Sequence, residues 1–157
     1  MATFPEKVNN ALEKAGLQPV SVKSVMGFYM PLKGSLAYVM LSTQMFTPEL
    51  YENFRFIVIP QYISLTNACL VNSMLGTGLF IHTRPHLASA SPKDKVIFCA
   101  FGSVMFNLGS MLLWALGRTV APESPVLRTV IGTAGAVGAL YLGKRYVDFV
   151  DSKEKAS

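Results

Sequence analysis

The sequence predicts an all-α membrane protein with four transmembrane helices behind a short amphipathic helix. Of its 157 residues 51% are apolar and only 15% are charged, which is unlike an ordinary soluble domain. No Asp, Glu, Lys or Arg falls within residues 56–81 or 96–117, stretches of 26 and 22 residues. About 20 apolar residues form a helix that crosses the hydrocarbon core of a bilayer. Each stretch therefore predicts a lipid-spanning helix, and a water-soluble globule is excluded.

Residues 1–23 are predicted to form an amphipathic N-terminal segment. Thr3 and Glu6 have the spacing of a capping box, and Gly16 is placed to end the helix. The apolar positions between them recur at helical spacing: Val8, Ala11, Leu12 and Ala15. This pattern is typical of a helix that rests on a bundle or a partner, and it also suits a helix lying among lipid headgroups.

Residues 24–147 are predicted to form the transmembrane domain, and 148–157 a charged tail. The predicted spans are 25–46, 56–80, 96–117 and 127–147. The first is the weakest, because Pro31 bends a helix and Lys33 must reach toward a membrane surface. The alternative is that this segment is re-entrant or buried, which leaves three spans.

The distribution of positive charge favours four spans over three. With four spans, ten Lys and Arg residues lie on the side of both termini and three lie on the opposite side. With three spans they divide seven and seven. Only the four-span arrangement obeys the positive-inside rule, and it places both ends on the cytoplasmic or matrix side.

The fourth span carries two rows of small residues. Gly135, Ala139 and Gly143 recur every four residues, and Ala134 with Gly138 forms a parallel row. Helices associate in a membrane through such rows, because small side chains let two backbones approach closely. Both rows are therefore predicted helix-packing surfaces.

The third span carries a comparable seam with a seven-residue repeat. Gly102 and Gly109 are seven apart, as are Ser103 and Ser110, and Asn107 lies beside them. A repeat of seven keeps one side of a helix against a neighbour. These five residues are also predicted to pack between helices.

The second span is polar for a transmembrane helix. Asn67 and Asn72 lie within it, and Asn72 with Gly76 continues a four-residue repeat from Ala68. The amides are predicted to form hydrogen bonds between helices. The alternative is a path for a solute, but no ionisable group near the middle of a span supports an ion pathway.

Five cations near the predicted membrane surface are candidates to bind lipid headgroups: Arg84, Lys93, Lys95, Lys144 and Arg145. Basic loops of this kind attract anionic phospholipids, including cardiolipin if the membrane is mitochondrial. His82 and His86 are four apart, but Pro85 interrupts the helix that would align them, so a metal or haem site is not expected.

The chain carries no phosphate loop, nucleophile elbow or His-Glu-x-x-His motif, so it is not expected to be an enzyme or to hold a cofactor other than structural phospholipid. No exposed face interleaves basic and aromatic residues, so no nucleic acid is expected as a partner. We expect a non-enzymatic accessory subunit that contacts the other subunits of a membrane complex. The favoured setting is a respiratory-chain or ATP synthase assembly of the mitochondrial inner membrane, with both termini in the matrix.

Two other functions fit the sequence. The first is a small oligomeric carrier or channel for a neutral solute, with the second and fourth spans lining the path. The second is an organelle-shaping or assembly factor that senses the bilayer through its N-terminal helix.

Overall fold

A computed structural model describes residues 16–51 and 64–154, together with Asn9 and residues 12–14. Helix α1 comprises three consecutive segments: Val22–Ser24, the π-helical Val25–Tyr29, and Met30–Phe46. The other long helices are α2 (Leu65–His82), α3 (Pro92–Val120) and α4 (Pro125–Glu154). Short 3₁₀ turns occupy Pro48–Tyr51 and Pro85–Leu87. Helices are the only regular structure in the described residues, which confirms the predicted all-α class for that part of the chain.

The end of the N-terminal helix has the geometry that its glycine predicts. Residues 12–14 are helical, and Gly16 has a φ of 73°, which side chains disfavour. The N–H of Leu17 donates to the carbonyl of Leu12 at 2.8 Å, and that of Gly16 donates to the carbonyl of Glu13 at 3.0 Å. This pair of bonds is a Schellman motif. The predicted capping box of Thr3 and Glu6 lies outside the described residues.

Serine side chains cap the N-termini of two of the long helices. At the start of α1 the side chains of Ser21 and Ser24 each accept a hydrogen bond from the other's backbone N–H, at 3.1 and 2.8 Å. At the start of α3 the Ser91 hydroxyl accepts from the N–H of Asp94 at 3.2 Å. These bonds satisfy N–H groups that have no partner inside the helix.

The π-helical turn of α1 ends just before a proline. Pro31 has no N–H to donate to the carbonyl four residues earlier, so a regular α-helical bond is missing at this point. The π turn immediately before it widens the helix by one residue. The bend that Pro31 predicts in the first span is thus accompanied by a change of helix type.

Helix α1 lies at the centre of the bundle. It packs against α2, α3 and α4, whereas α3 and α4 hardly touch each other. The Cα of Gly27 faces Thr83, since a Cβ built there would lie 3.8 Å from the methyl group of Thr83. Arg84 in turn pairs with Asp148 near the end of α4. The start of α1, the α2–α3 connection and the end of α4 therefore share one end of the bundle, which we term the connection end.

Helices α3 and α4 are long and apolar enough to cross a membrane. They have 29 and 30 residues, and a rise of about 1.5 Å per residue makes each longer than the roughly 30 Å hydrocarbon core. They contain the predicted spans 96–117 and 127–147. The start of the predicted second span lies in 52–63, outside the described residues. That the chain has four spans remains a prediction. The tail expected from residue 148 begins as a continuation of α4.

The bundle buries several polar groups beside its apolar core and exposes many large apolar side chains. Ser42, Ser73 and Asn107 are completely buried, at 0% exposure. In contrast, Leu113 of α3 and Leu142 of α4 are 69% and 62% exposed. A water-soluble domain keeps large apolar side chains on its surface scattered. The arrangement suits a bundle whose surroundings are as apolar as its surface.

The backbones of α1 and α2 approach each other closely at two glycines. A Cβ built on Gly34 would lie 2.5 Å from the Cα of Gly76, and a Cβ on Gly76 would lie 2.5 Å from the Cα of Gly34. The obstructing atoms are backbone, so no side-chain rotation could relieve the clash. Only glycine at both positions permits this crossing.

The interior beside the crossing is aromatic. Tyr38 stacks on Phe106 of α3 with ring centroids 5.1 Å apart, and meets Trp114 edge-on at 4.7 Å. Phe46, at the end of α1, lies against Gly132 of α4 and Gly117 of α3, where a Cβ would come within 2.9 and 3.3 Å of its ring. Rings from α1 therefore fill the space next to both α3 and α4.

We expect Gly34→Ala and Gly76→Ala each to lower the free energy of unfolding by about 2 kcal/mol or more, because the added methyl group meets backbone. Unfolding in micelles can be followed by the fluorescence of Trp114, the only tryptophan. Gly135→Ala is the matched control, since its Cβ would meet nothing within 4 Å. An equal loss of stability in all three variants would contradict the crossing.

Candidate functional site: an apolar cleft next to a charged cluster

Buried hydrogen bonds join α2 to α3. Asn107 accepts a bond from the Ser73 hydroxyl at 2.5 Å, and its amide donates to the carbonyl of Ser103 in its own helix at 2.9 Å. The Ser103 hydroxyl donates to the carbonyl of Met74 at 2.5 Å. Asn107 and Ser103, two residues of the predicted seam, thus lie in the α2–α3 contact.

Further buried bonds join α1 to α3 and α4. The Tyr38 hydroxyl donates to Ser110 at 2.6 Å, and the Ser42 hydroxyl donates to the carbonyl of Gly132 at 2.8 Å. In an apolar interior an unpaired hydroxyl is costly, so each bond favours one alignment of the two helices. Ser110 therefore lies in the α1–α3 contact.

The other seam residues of α3 divide between two surroundings. Gly102 faces α2, where a Cβ would lie 3.0 Å from Cδ1 of Ile81. Gly109 is exposed, with open space where its side chain would be. The seven-residue repeat thus does not keep both glycines against the same neighbour.

The predicted polar residues of α2 also lie in different places. Gly76 forms the crossing with Gly34. Asn72 donates to the carbonyl of Ala68 at 2.8 Å, a bond within its own helix. Asn67 is exposed.

The two small-residue rows of α4 are split between the inside and the outside of the bundle. Ala139 packs against the core, and a Cβ on Gly143 would lie 3.3 Å from the ring of Phe106. Ala134 and Gly135 are exposed. Neither Gly135 nor Gly138 has any atom within 4 Å of a built Cβ. The row of Ala134 and Gly138 therefore faces away from the rest of the chain.

A cleft of about 570 Å³ opens between α3 and α4 on the connection-end half of the bundle. Its size falls within the roughly 300–1,000 Å³ typical of small-molecule sites. All four helices contribute to its largely apolar walls, which include Pro31, Phe80, Phe106, Val137, Leu140 and Lys144. The cleft exists because α3 packs on α1 and α2, and α4 packs mainly on α1, with little contact between α3 and α4.

A charged cluster at the connection end joins the α2–α3 connection to the end of α4. Arg84 donates to Asp148 at 2.9 Å and lies 3.5 Å from Asp151. The backbone N–H and the Nδ1–H of His86 both donate to Asp151, at 3.2 and 2.5 Å. Asp148 also accepts from Lys144 at 2.6 Å. The cluster fixes a loop to a helix 64 or more residues away.

These donors lower the pKa values of the two carboxylates. Burial raises the pKa of Asp151, but its hydrogen bonds with His86 and the charge of Arg84 outweigh burial and leave the pKa below its ordinary value. The hydrogen bond from Lys144 lowers the pKa of Asp148, and Arg84 lowers it further. Both carboxylates are therefore anions at neutral pH.

The five cations predicted to bind headgroups fall into two groups, those with a carboxylate partner and those without one among the described residues. Arg84 pairs with the carboxylates, its guanidinium lies 3.9 Å from the centre of the Phe80 ring, and Lys144 pairs with Asp148. Lys93, Lys95 and Arg145 form no ion pair with any described residue.

The partners of these cations were not predicted from the sequence. Asp148 and Asp151 belong to the predicted charged tail, and the four-residue spacing of Asp148 from Lys144 was the available signal for a helical ion pair. Gly34 was likewise not recognised as a packing residue. Among the described residues, no three His, Cys, Asp or Glu side chains gather as a metal site.

Comparison with protein-family models, with curated proteins and with solved structures finds no match.

We expect Asn107→Leu to lower the free energy of unfolding by about 1 kcal/mol, because Ser73 loses its acceptor in an apolar interior. The midpoint of unfolding in micelles measures the change. Asn67→Leu is the matched control on an exposed position and should leave the midpoint unchanged. A loss as large for Asn67→Leu would contradict the assignment.

We expect the charged cluster to hold at neutral pH and to open on acidification. Because the folded-state pKa of Asp151 is lowered, its stabilising contribution is complete above the ordinary pKa of about 4 and is lost as the pH falls below it. The measurement is the hydrogen-exchange protection factor of the His86 amide between about pH 6 and pH 3. Asp151→Asn should lower that protection at neutral pH, whereas Asp94→Asn should not. Protection that stays constant with pH would contradict this role.

Proposed function

We propose that this chain is a non-enzymatic accessory subunit of a larger membrane complex, embedded by four helices. The observation that carries the proposal is the outer face of α4. In the most apolar 18-residue stretch of this helix, only 11% is buried within the chain. Ala134 is exposed, and Gly138, one turn further along the same side, is half-buried but has no atom within 4 Å of a built Cβ.

Small residues on the outer side of a helix favour a partner helix over lipid. Glycine lowers helix stability by about 1 kcal/mol relative to alanine, and a lipid-facing surface gains nothing in return. On the inner side of α4, Gly132 and the fully buried Ala136 admit α1 closely. A second helix could pack on the outer row in the same manner.

The embedding is supported by the surface of α3 and α4 and by the polar interior. The large exposed side chains of both helices are mainly Leu, Val, Ile and Phe, which lipid tails accommodate without cost. The interior hydroxyls and the amide of Asn107 are satisfied by each other and by backbone carbonyls. In a membrane such bonds hold helices together where burial of apolar surface cannot.

The compartment is the part of the proposal that rests on composition. Small, basic chains with several spans are typical of accessory subunits of the respiratory chain and of ATP synthase. We therefore place the chain in the mitochondrial inner membrane. The excess of ten cations over three favours matrix-facing termini.

A carrier for a neutral solute has less support. Its path was expected to use Asn67 and Asn72 of the second span. Asn67 is exposed, Asn72 bonds within its own helix, and neither lines the cleft.

We expect Gly138→Leu to release this chain from its complex without unfolding it. The leucine would fill the outward notch and push a partner helix away, whereas the packing inside the bundle is untouched. Native gel electrophoresis of gently solubilised mitochondrial membranes, followed by mass spectrometry, measures the assembly.

Gly109→Leu is the matched control for this test. A Cβ built on Gly109 would also meet nothing within 4 Å, but Gly109 stands alone between the large residues Met105 and Leu113 on its face of α3. The control should assemble as the wild type does. Migration of the wild-type chain as a lone 17.1 kDa species would overturn the proposal.

A further inference from the structure

We propose that the cleft between α3 and α4 holds one acyl chain of an anionic phospholipid, whose phosphate lies between the side chains of Lys144 and Lys95. This inference rests on embedding in a membrane and does not depend on a partner subunit. The sequence predicts headgroup binding by cations near the membrane surface. The present proposal goes further, because it assigns a site for the lipid tail inside the bundle.

The length of the cleft matches one leaflet of a bilayer. Its wall on α4 runs from Val137 to Val147, which corresponds to about 15 Å at the rise of an α-helix. Half of a hydrocarbon core of roughly 30 Å is also about 15 Å. The wall residues of the other helices, such as Phe80 and Gly102, come from the same half of the bundle. The cleft is therefore placed to hold a single tail from one leaflet.

The walls of the cleft favour a flexible tail over a transmembrane helix. Side chains of different size line it from several helices, among them Phe80, Phe106 and Leu140. A flexible acyl chain can follow such a wall, whereas a rigid helix about 10 Å wide contacts only part of it.

Cations stand where the headgroup of such a lipid would lie. Lys144 is part of the cleft wall at its connection end. Lys95 lies seven and eleven residues before Gly102 and Phe106, which puts it on the cleft face of α3, two turns nearer the same end. It forms no ion pair with a described residue.

The carboxylates nearby offset only part of this charge. Asp148 is shared between Lys144 and Arg84, and Asp151 between Arg84 and His86. Asp94, next to Lys95, accepts a hydrogen bond from Ser91, the N-cap residue of α3, and forms no ion pair with a described residue. A phosphate therefore meets Lys95 with its N–H donors free and Lys144 with one donor used by Asp148.

The test uses the full-length chain in micelles with an equimolar mixture of phosphatidylglycerol and phosphatidylcholine that carry the same tails. Native mass spectrometry measures the retained lipid. The wild type should retain phosphatidylglycerol preferentially. Val137→Trp should fill the cleft and lower retention about tenfold, since the displaced methylene groups lose their burial. Val130→Trp, an exposed valine of α4 outside the cleft, should retain lipid as the wild type does.

The headgroup is tested separately. Lys95→Gln combined with Lys144→Gln should abolish the preference for phosphatidylglycerol while lipid is still retained, whereas Lys23→Gln, at an exposed lysine near the start of α1, should keep the preference. Equal retention of both lipids by the wild type would overturn the anionic assignment. Equal retention by Val137→Trp and the wild type would overturn the cleft.

A measurement on the wild-type chain keeps the site testable if Val137→Trp does not fold. Phosphatidylglycerol with a photoactivatable diazirine in its tail should crosslink to Phe106 and Leu140. Crosslinks confined to Leu112 and Leu113, on the outer side of α3, would also overturn the proposal.

Discussion

The crossing of Gly34 and Gly76 sets the geometry on which the other contacts depend. Helix α1 is the helix that packs against all three others, so the position of α1 on α2 determines where α3 and α4 can lie. The contact is backbone against backbone, with no side chain that could rearrange. Because lipid tails are as apolar as leucine, such close contact is a main source of helix association in a membrane.

The bonds that radiate from α1 explain the cleft. Tyr38 attaches α1 to α3 through Ser110, and Ser42 attaches it to the backbone of α4. Phe46 lies between the glycines of both helices away from the connection end, and on the connection-end half the ring of Phe106 lies against Gly143 of α4. Since α3 is held by α1 and α2, and α4 is held mainly by α1, a space remains between α3 and α4 on the connection-end half.

Local properties of the sequence could be predicted, and pairings could not. The charge-free run that predicts α3 and the glycine that ends the N-terminal helix need only neighbouring residues to be recognised. Asn107 and Gly76 could be named as packing residues from their spacing, but their partners require the register of two helices. Gly34 has no small residue four positions away and was missed for that reason. The cleft was not predictable either, because it arises from how far apart two helices stand.

The two faces of α4 place the proposed lipid and the proposed partner side by side. Val137 lines the cleft and Gly138 faces outward, and consecutive residues of a helix point about 100° apart. Tyr141 comes four residues after Val137 and three after Gly138, so its side chain points between these two directions. It lines the cleft as well. A helix packed on Gly138 would therefore border the lipid in the cleft. The lipid would then belong to the surface that the partner meets, and the charged cluster, by fixing Lys144 beside Asp148, would position its headgroup.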